Sequence, residues 1–183
     1  MNEAGPVLVT ERLDLWRPQR GDHMGLLALI APEGVRRFLG PAKPTAEDAF
    51  ARLLRNAGSW ALYGYGVFVV REQGSAEIVA SCGVFHTWRG FPGDNARGSG
   101  LGMDDVPEAG WIIAEPHWGK GYASEAMRAA LAWFDATYGP RRVVCMIEEG
   151  HSASAAVAAR LGFAEYARHQ PDEGRALVLY ERG

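Results

Sequence analysis

Cysteine is scarce in this chain: Cys82 and Cys145 are the only two in 183 residues, and both sit inside apolar, strand-like runs. Two thiols make no disulfide framework, and this setting reads as reduced core positions. An excess of one charge is also lacking. Nineteen basic and 22 acidic side chains leave a net charge of -3, so there is no basic field of the kind that binds nucleic acid. The longest apolar runs fall well short of the ~20 residues a membrane helix needs. Met1-Asn2-Glu3-Ala4 has no positive region followed by an apolar stretch, so no signal peptide is expected. No internal repeat, low-complexity tract or interior linker appears. The histidines avoid ligand spacings: Cys82 and His86 on one strand stand about 13 Å apart, and His23, His117 and His169 have no partner at a metal-binding interval. These absences leave one cytoplasmic domain over residues 1–183, 48% hydrophobic, with a sizeable core and no metal.

The pattern alternates strands and helices. Leu8 to Trp16 reads as a first strand, and Asp22 to Ile30 as a short helix with Pro32 just beyond. Thr45 is placed to cap a second helix with acidic residues in its first turn, burying a stripe of Phe50, Leu53 and Leu54. Gly58 to Gly66 reads as irregular. Val67–Val70 and Ile78–Phe85 bracket a Gln73-Gly74-Ser75 turn and predict a hairpin. Thr87 to Pro107 reads as a long glycine-bearing loop, whose length suggests a substrate-side flap. A fourth strand follows at Glu108 to Ala114, then a helix from Tyr122 to Tyr138 with Met127, Ala130, Leu131 and Phe134 on one stripe. Arg142 to Ile147 predicts a fifth strand, and Phe163–His169 with Ala176–Tyr180 a final hairpin.

One stretch carries most of the chemistry: Trp118-Gly119-Lys120-Gly121-Tyr122-Ala123-Ser124, between the fourth strand and the long helix. A glycine turn there exposes consecutive amides at a helix start, where the macrodipole also favours an anion. Phosphates are expected. The spacing is wrong for a P-loop, because Lys120 is followed by glycine, and a dinucleotide fingerprint would place Gly or Ala at Ser124. A second segment, His151-Ser152-Ala153-Ser154 leading to Leu161-Gly162-Phe163, predicts a short helix capped by Ser152 and stopped by Gly162.

Together these segments resemble the GNAT superfamily of N-acyltransferases. The first is similar to its acyl-CoA pyrophosphate loop, Arg/Gln-x-x-Gly-x-Gly/Ala, with Trp118 in the Arg/Gln position, in the form used by the ribosomal-protein N-acetyltransferase-like branch. The second resembles the family's Asn-x-Ala-Ser…Leu-Gly-Phe ending, with His151 in place of Asn. The resemblance covers roughly Val7 to Arg182. It implies a mixed, mostly antiparallel central sheet flanked by helices, with the fourth and fifth strands splayed around the pantetheine arm of acetyl-CoA.

By that resemblance Ile112, Ile113 and Ala114 supply main-chain bonds to the arm, and Trp118, Gly119, Lys120, Gly121, Tyr122, Ala123 and Ser124 hold the pyrophosphate. Ser154 and His151 flank the cofactor. The implied reaction is direct acetyl transfer to a primary amine without a covalent enzyme intermediate. An alkyl amine titrates near ~10.4 and a chain N-terminus near ~7.7–8.0, so a base is useful. Glu108 is the leading candidate, with Asp104 and Asp105 as alternatives; Glu125 is expected to complement the helix dipole instead. Many relatives place a tyrosine acid where Ala158 stands, and its absence leaves Ser154 or His151 as proton donors. The acceptor is a small-molecule amine or a protein N-terminus, and the branch suggests a homodimer. A cluster of Trp60, Tyr63, Tyr65, Trp88 and Phe91 either lines the acceptor side or belongs to the core. Two other readings stand beside this one: an acyl-CoA-binding module without catalysis, and a nucleotide-dependent oxidoreductase.

Overall fold

A computed structural model describes residues 5–39, 43–91 and 101–183. The strands are β1 (Leu8–Val9), β2 (Leu13–Trp16), β3 (Val67–Glu72), β4 (Ile78–Trp88), β5 (Asp104–Ile113), β6 (Val143–Glu148), β7 (Ala164–His169) and β8 (Leu177–Arg182). The helices are α1 (His23–Ile30), α2 (Glu33–Arg36), α3 (Ala46–Tyr63), α4 (Tyr122–Tyr138) and α5 (Ser152–Arg160). The strands form one eight-stranded sheet in the order β1-β2-β3-β4-β5-β6-β8-β7. Neighbours are antiparallel except β5 and β6, which run parallel and share a single register pair, Glu108 with Val144. Beyond that pair the two strands part, β5 running on to Ile113 and β6 to Glu148. The expected splay is there.

Apolar alternation assigns the two faces. α4 buries Met127, Ala130, Leu131 and Phe134 against Cys82, Val84, Ala109 and Cys145. The opposite face receives Leu26, Leu29 and Ile30 of α1 and Leu53 of α3, which pack with Val69 and Ile112. Both thiols lie in the α4 core, and burial pushes Cys82 up to about 12 and Cys145 higher still.

Several boundaries differ from the sequence reading. The first strand is a tight hairpin, because the Thr10 amide turns back to the Leu13 carbonyl at 2.9 Å and Leu8 pairs with Leu15. Thr45 caps α3 in a reciprocal box with Asp48, a motif worth about 1 kcal/mol. The expected stripe on α3 is only partly buried: Leu53 is inside, whereas Phe50 and Leu54 are exposed. Ala49 and Trp60 take their places, because Trp60 is drawn onto Phe68 and Trp133. That anchor also explains why α3 continues through the supposedly irregular Gly58 to Tyr63 before Gly64 ends it. The long loop is shorter than expected, since Thr87 pairs with Val106 and His86 with Pro107. Gly93, Gly98, Ser99 and Gly100 lie outside the described residues.

Candidate active site

The glycine loop follows β5 after a 3-10 turn, Glu115–His117. Gly119 and Gly121 hold φ of 74° and 82°, a region that L side chains rarely adopt. Gly121 is the N-cap of α4 and has no side chain to offer, so no side chain caps the first turn at Tyr122, Ala123 and Ser124. Open amides at a helix start make an anion site. A Cβ at Gly119 would meet nothing within 4 Å, leaving the loop open to an incoming group.

Contacts both local and distant in sequence hold this loop. Trp118 donates its indole N–H to the Ile113 carbonyl at 2.8 Å. Arg12 donates from Nη1 to the Lys120 carbonyl at 3.0 Å and from Nε to Glu125 at 2.7 Å. Glu125 also accepts from the Thr10 hydroxyl at 2.6 Å and the Arg12 amide at 3.0 Å. Burial opposes ionisation of Glu125, but those hydrogen bonds outweigh it and hold the carboxyl below its usual range. Neutralised by Arg12, that carboxylate does not repel an anion one turn away. Tyr122 donates its hydroxyl to Glu72, and Lys120 Nζ lies 3.3 Å from His117 Nδ1.

Ladder phase decides which main-chain groups face the gap. The Ala114 amide bonds the Val79 carbonyl at 2.9 Å, and the Ala114 carbonyl accepts from His117 at 2.9 Å. Antiparallel pairs alternate, so Ile112 also faces β4, while Ile113 and Trp111 turn their amides and carbonyls toward β6. Of the three consecutive residues expected to bind the arm, Ile113 alone turns its main chain to the gap between β5 and β6. Trp111, outside that expected set, turns its main chain the same way, as strand alternation requires.

On the far bank, His151 rather than Ser152 caps α5. Its Nδ1 accepts the Ser154 amide at 3.3 Å, the place an asparagine oxygen would take, and Ser152 is the first helical residue. Ser154 Oγ lies 3.2 Å from His151 Nε2. The ring of Phe38 lies tilted against His151 with centroids 3.7 Å apart. Burial, and then the charge of Arg37, hold the imidazole below its ordinary value. Ala158 is fully buried. Gly34 of α2 packs against Glu115 and Trp118, so the segment from Gly34 to Phe38 reaches from one bank to the other.

Glu108 does not open its strand. It lies within β5, at the apex of the splay, and is 3% exposed. Arg89 clamps it from two nitrogens, with Nε at 2.8 Å from Oε2 and Nη2 on Oε1. By alternation its side chain shares the face of Ile112, the side covered by α1 and α3. The alternative carboxylates do not converge there. Asp104 accepts the Gly90 amide at 2.7 Å, and Asp105 lies 2.9 Å from His86 Nε2. His86 Nδ1 in turn lies 2.7 Å from the Tyr65 hydroxyl, which burial pushes up to about 12. Tyr65 packs on Phe134, so this relay sits on the α4 face. The aromatic cluster divides: Trp60 and Tyr65 are core, Tyr63 stacks on His86, Phe91 on His169, and Trp88 is exposed.

A parallel strand pair that parts at a buried glutamate, beside a glycine loop on an uncapped helix, defines an α/β acyltransferase fold. The chain belongs to the GNAT acetyltransferase family: the model for the acetyltransferase (GNAT) domain matches residues 12–164. It is similar to a Bordetella pertussis protein described as a GnaT-family acetyltransferase, with 32% identity, a TM-score of 0.79, and 96% and 98% of the two chains covered. A ribosomal L7/L12 α-N-protein acetyltransferase in complex with coenzyme A shares the fold at 15% identity and a TM-score of 0.67, covering 96% of each chain. The uncharacterized YkkB of Bacillus subtilis is 26% identical over 122 residues, 66% of this chain; the matched region spans 62% of that curated relative's length. Among the described residues no group of three or more His, Cys, Asp or Glu could hold a metal ion, and no helix is long and apolar enough to cross a membrane.

Proposed function

We propose that the chain is a cytoplasmic N-acetyltransferase that moves acetyl from acetyl-CoA to a primary amine. The observation that carries this reading is the parting of β5 and β6 at Glu108, beside the uncapped start of α4. The fit rests on the open amides of Tyr122, Ala123 and Ser124 for the pyrophosphate and on the main chain of Trp111 and the amide of Ile113 for the pantetheine arm, the Ile113 carbonyl being held by Trp118. Bound there, acetyl-CoA supplies an activated carbonyl. The chain's own task is to hold the amine at the apex and take its proton.

In this reading Glu108 takes that proton. A positioned carboxylate contributes ~10²–10⁴-fold. Both its oxygens are engaged by Arg89, so the acceptor must enter beside that pair. Proton return to the leaving thiol falls to Ser154 or solvent, because Ala158 offers no hydroxyl and the acceptor nitrogen of His151 serves the α5 cap. Thiols titrate near ~8.5, so a dedicated acid is dispensable.

The engagement of Glu108 by Arg89 also favours a second reading, acyl-CoA binding without transfer. One experiment separates the two. Purified protein is mixed with acetyl-CoA and a panel of primary amines, and free thiol is followed. Amine-dependent thiol release is expected; calorimetric binding of acetyl-CoA with no release from any amine would leave only the binding module.

A further inference from the structure

One histidine beside the glycine loop sits between two opposite charges. His117 ends the 3-10 turn that leads from β5 toward the loop, and it is 9% exposed. Its amide bonds the Ala114 carbonyl at 2.9 Å, and its ring stacks on Tyr122 with centroids 5.7 Å apart. Those contacts fix where Nδ1 points. It lies 3.3 Å from Lys120 Nζ and 3.4 Å from Glu72 Oε1. Lys120 belongs to the glycine loop, whereas Glu72 ends β3.

An ammonium only donates and a carboxylate only accepts. Nδ1 therefore serves one partner at a time. Without a proton it accepts from Lys120; with one it faces Glu72 as a cation and repels the ammonium. The other titratable groups around the ring favour that exchange. Tyr122 donates its hydroxyl to Glu72, and this bond raises the pKa of the phenol, which stays a donor. The same bond, against a smaller burial penalty, holds the Glu72 carboxyl below its usual range. Arg12 lies 4.7 Å from the centre of the Tyr122 ring and is engaged by the Lys120 carbonyl and Glu125. Lys120 itself is exposed and directly precedes Gly121, the cap of α4. A freed ammonium on its flexible four-carbon stem reaches an anion seated on the amides of Tyr122, Ala123 and Ser124.

We infer that His117 is a positioning residue for the cofactor: its neutral ring retains Lys120, and its protonated ring pairs with Glu72 and releases Lys120 to the phosphates. The inference rests on the reading of the loop as the acetyl-CoA pyrophosphate site and adds a proton-controlled grip to it. Affinity for the cofactor then rises as pH falls through the range in which imidazole takes up a proton.

Calorimetry with 3′-dephospho-CoA tests this, because a phosphate monoester would titrate near ~6 and blur the profile. The interval runs from about pH 8 to about pH 5.5, across which imidazole changes charge. The parent protein should bind the probe about 3–10-fold more tightly at the acid end, as for an ammonium joining an anion at an exposed site. His117→Gln keeps an acceptor for Lys120 and takes no proton, so its affinity should stay at the parent's alkaline value throughout. Lys120→Met, at an exposed position where folding is not at stake, should flatten the profile by losing the gain at the acid end. A histidine with a structural role alone gives another pattern, in which His117→Gln lowers affinity equally at every pH. That pattern, or a parent-like slope in either variant, overturns the inference and leaves the acetyl-CoA reading intact. Failure of the parent to bind either the probe or acetyl-CoA at any pH would remove both.

Discussion

Two helices begin at the same gap and treat their first amides in opposite ways. α4 starts at Gly121, which brings no side chain; α5 starts at His151, whose imidazole takes the Ser154 amide. A helix start leaves amides without intrahelical partners, so something must accept from them. At α5 the chain satisfies its own donor. At α4 the donors stay open for an outside anion. On the proposed reading, the difference puts the phosphates on the α4 bank and leaves α5 as a self-capped wall.

The largest expected effect comes from closing the open start. Gly121→Val forces a β-branched residue into a positive φ and crowds the amides, so acetyl-CoA should bind more than ~100-fold more weakly by calorimetry. An unchanged circular dichroism spectrum would locate the loss in the loop, and unchanged affinity in a folded variant would erase the contrast between the two helices. Next comes the apex between the banks. Glu108→Gln keeps the shape and removes the basicity, so turnover on a high-pKa amine should fall by at least ~10²-fold with acetyl-CoA affinity retained. A fall of only a few-fold would make Glu108 a residue that positions Arg89.

The capped bank should respond in stability. His151→Ala removes the cap and should cost about 1 kcal/mol in urea unfolding, whereas His151→Asn should keep most of it. The pH dependence has a definite sign. The imidazole is held below its ordinary value, near ~6.5, so the folded state binds fewer protons than the unfolded chain across that interval. Stability is therefore present above pH ~6.5 and is lost as pH falls through the lower folded value. Replacement by Asn should flatten that slope; an unaltered slope would assign it to another group. The smallest effect belongs to Ser154→Ala, which should slow transfer by less than ~10-fold, because removing a single proton donor leaves water to serve.

Sequence legibility followed the same division. Gly119 and Gly121 announce a backbone requirement, so the loop and its helix were readable from residue type alone. The splay and the mixed sheet came with the family resemblance. The setting of Glu108 did not, because its partner Arg89 lies across a strand pair and beyond the apparent end of β4. His151 as a cap was hidden because imidazole is an uncommon acceptor at that position, and serine is the usual choice. The exposed sides of Phe50 and Leu54 show the limit of a helical stripe read without its neighbour. Contacts with neighbours, among them Trp60 on Phe68 and Trp133 and Asn56 on the Val67 amide, set the rotation of α3.

The grip of Thr10 and Arg12 on Glu125 has a consequence for how the molecule comes together. The hairpin of β1 and β2 meets the glycine loop across a separation of 108 residues and the first turn of α4 across 113. Closing so long a segment is paid for before the contact returns anything, and such late, non-local contacts slow folding. The β1–β2 hairpin must wait for the loop that it steadies. A lesion in the first strands, far in sequence from the glycine loop, should therefore show as a delay in forming that loop rather than as a failure to make the sheet.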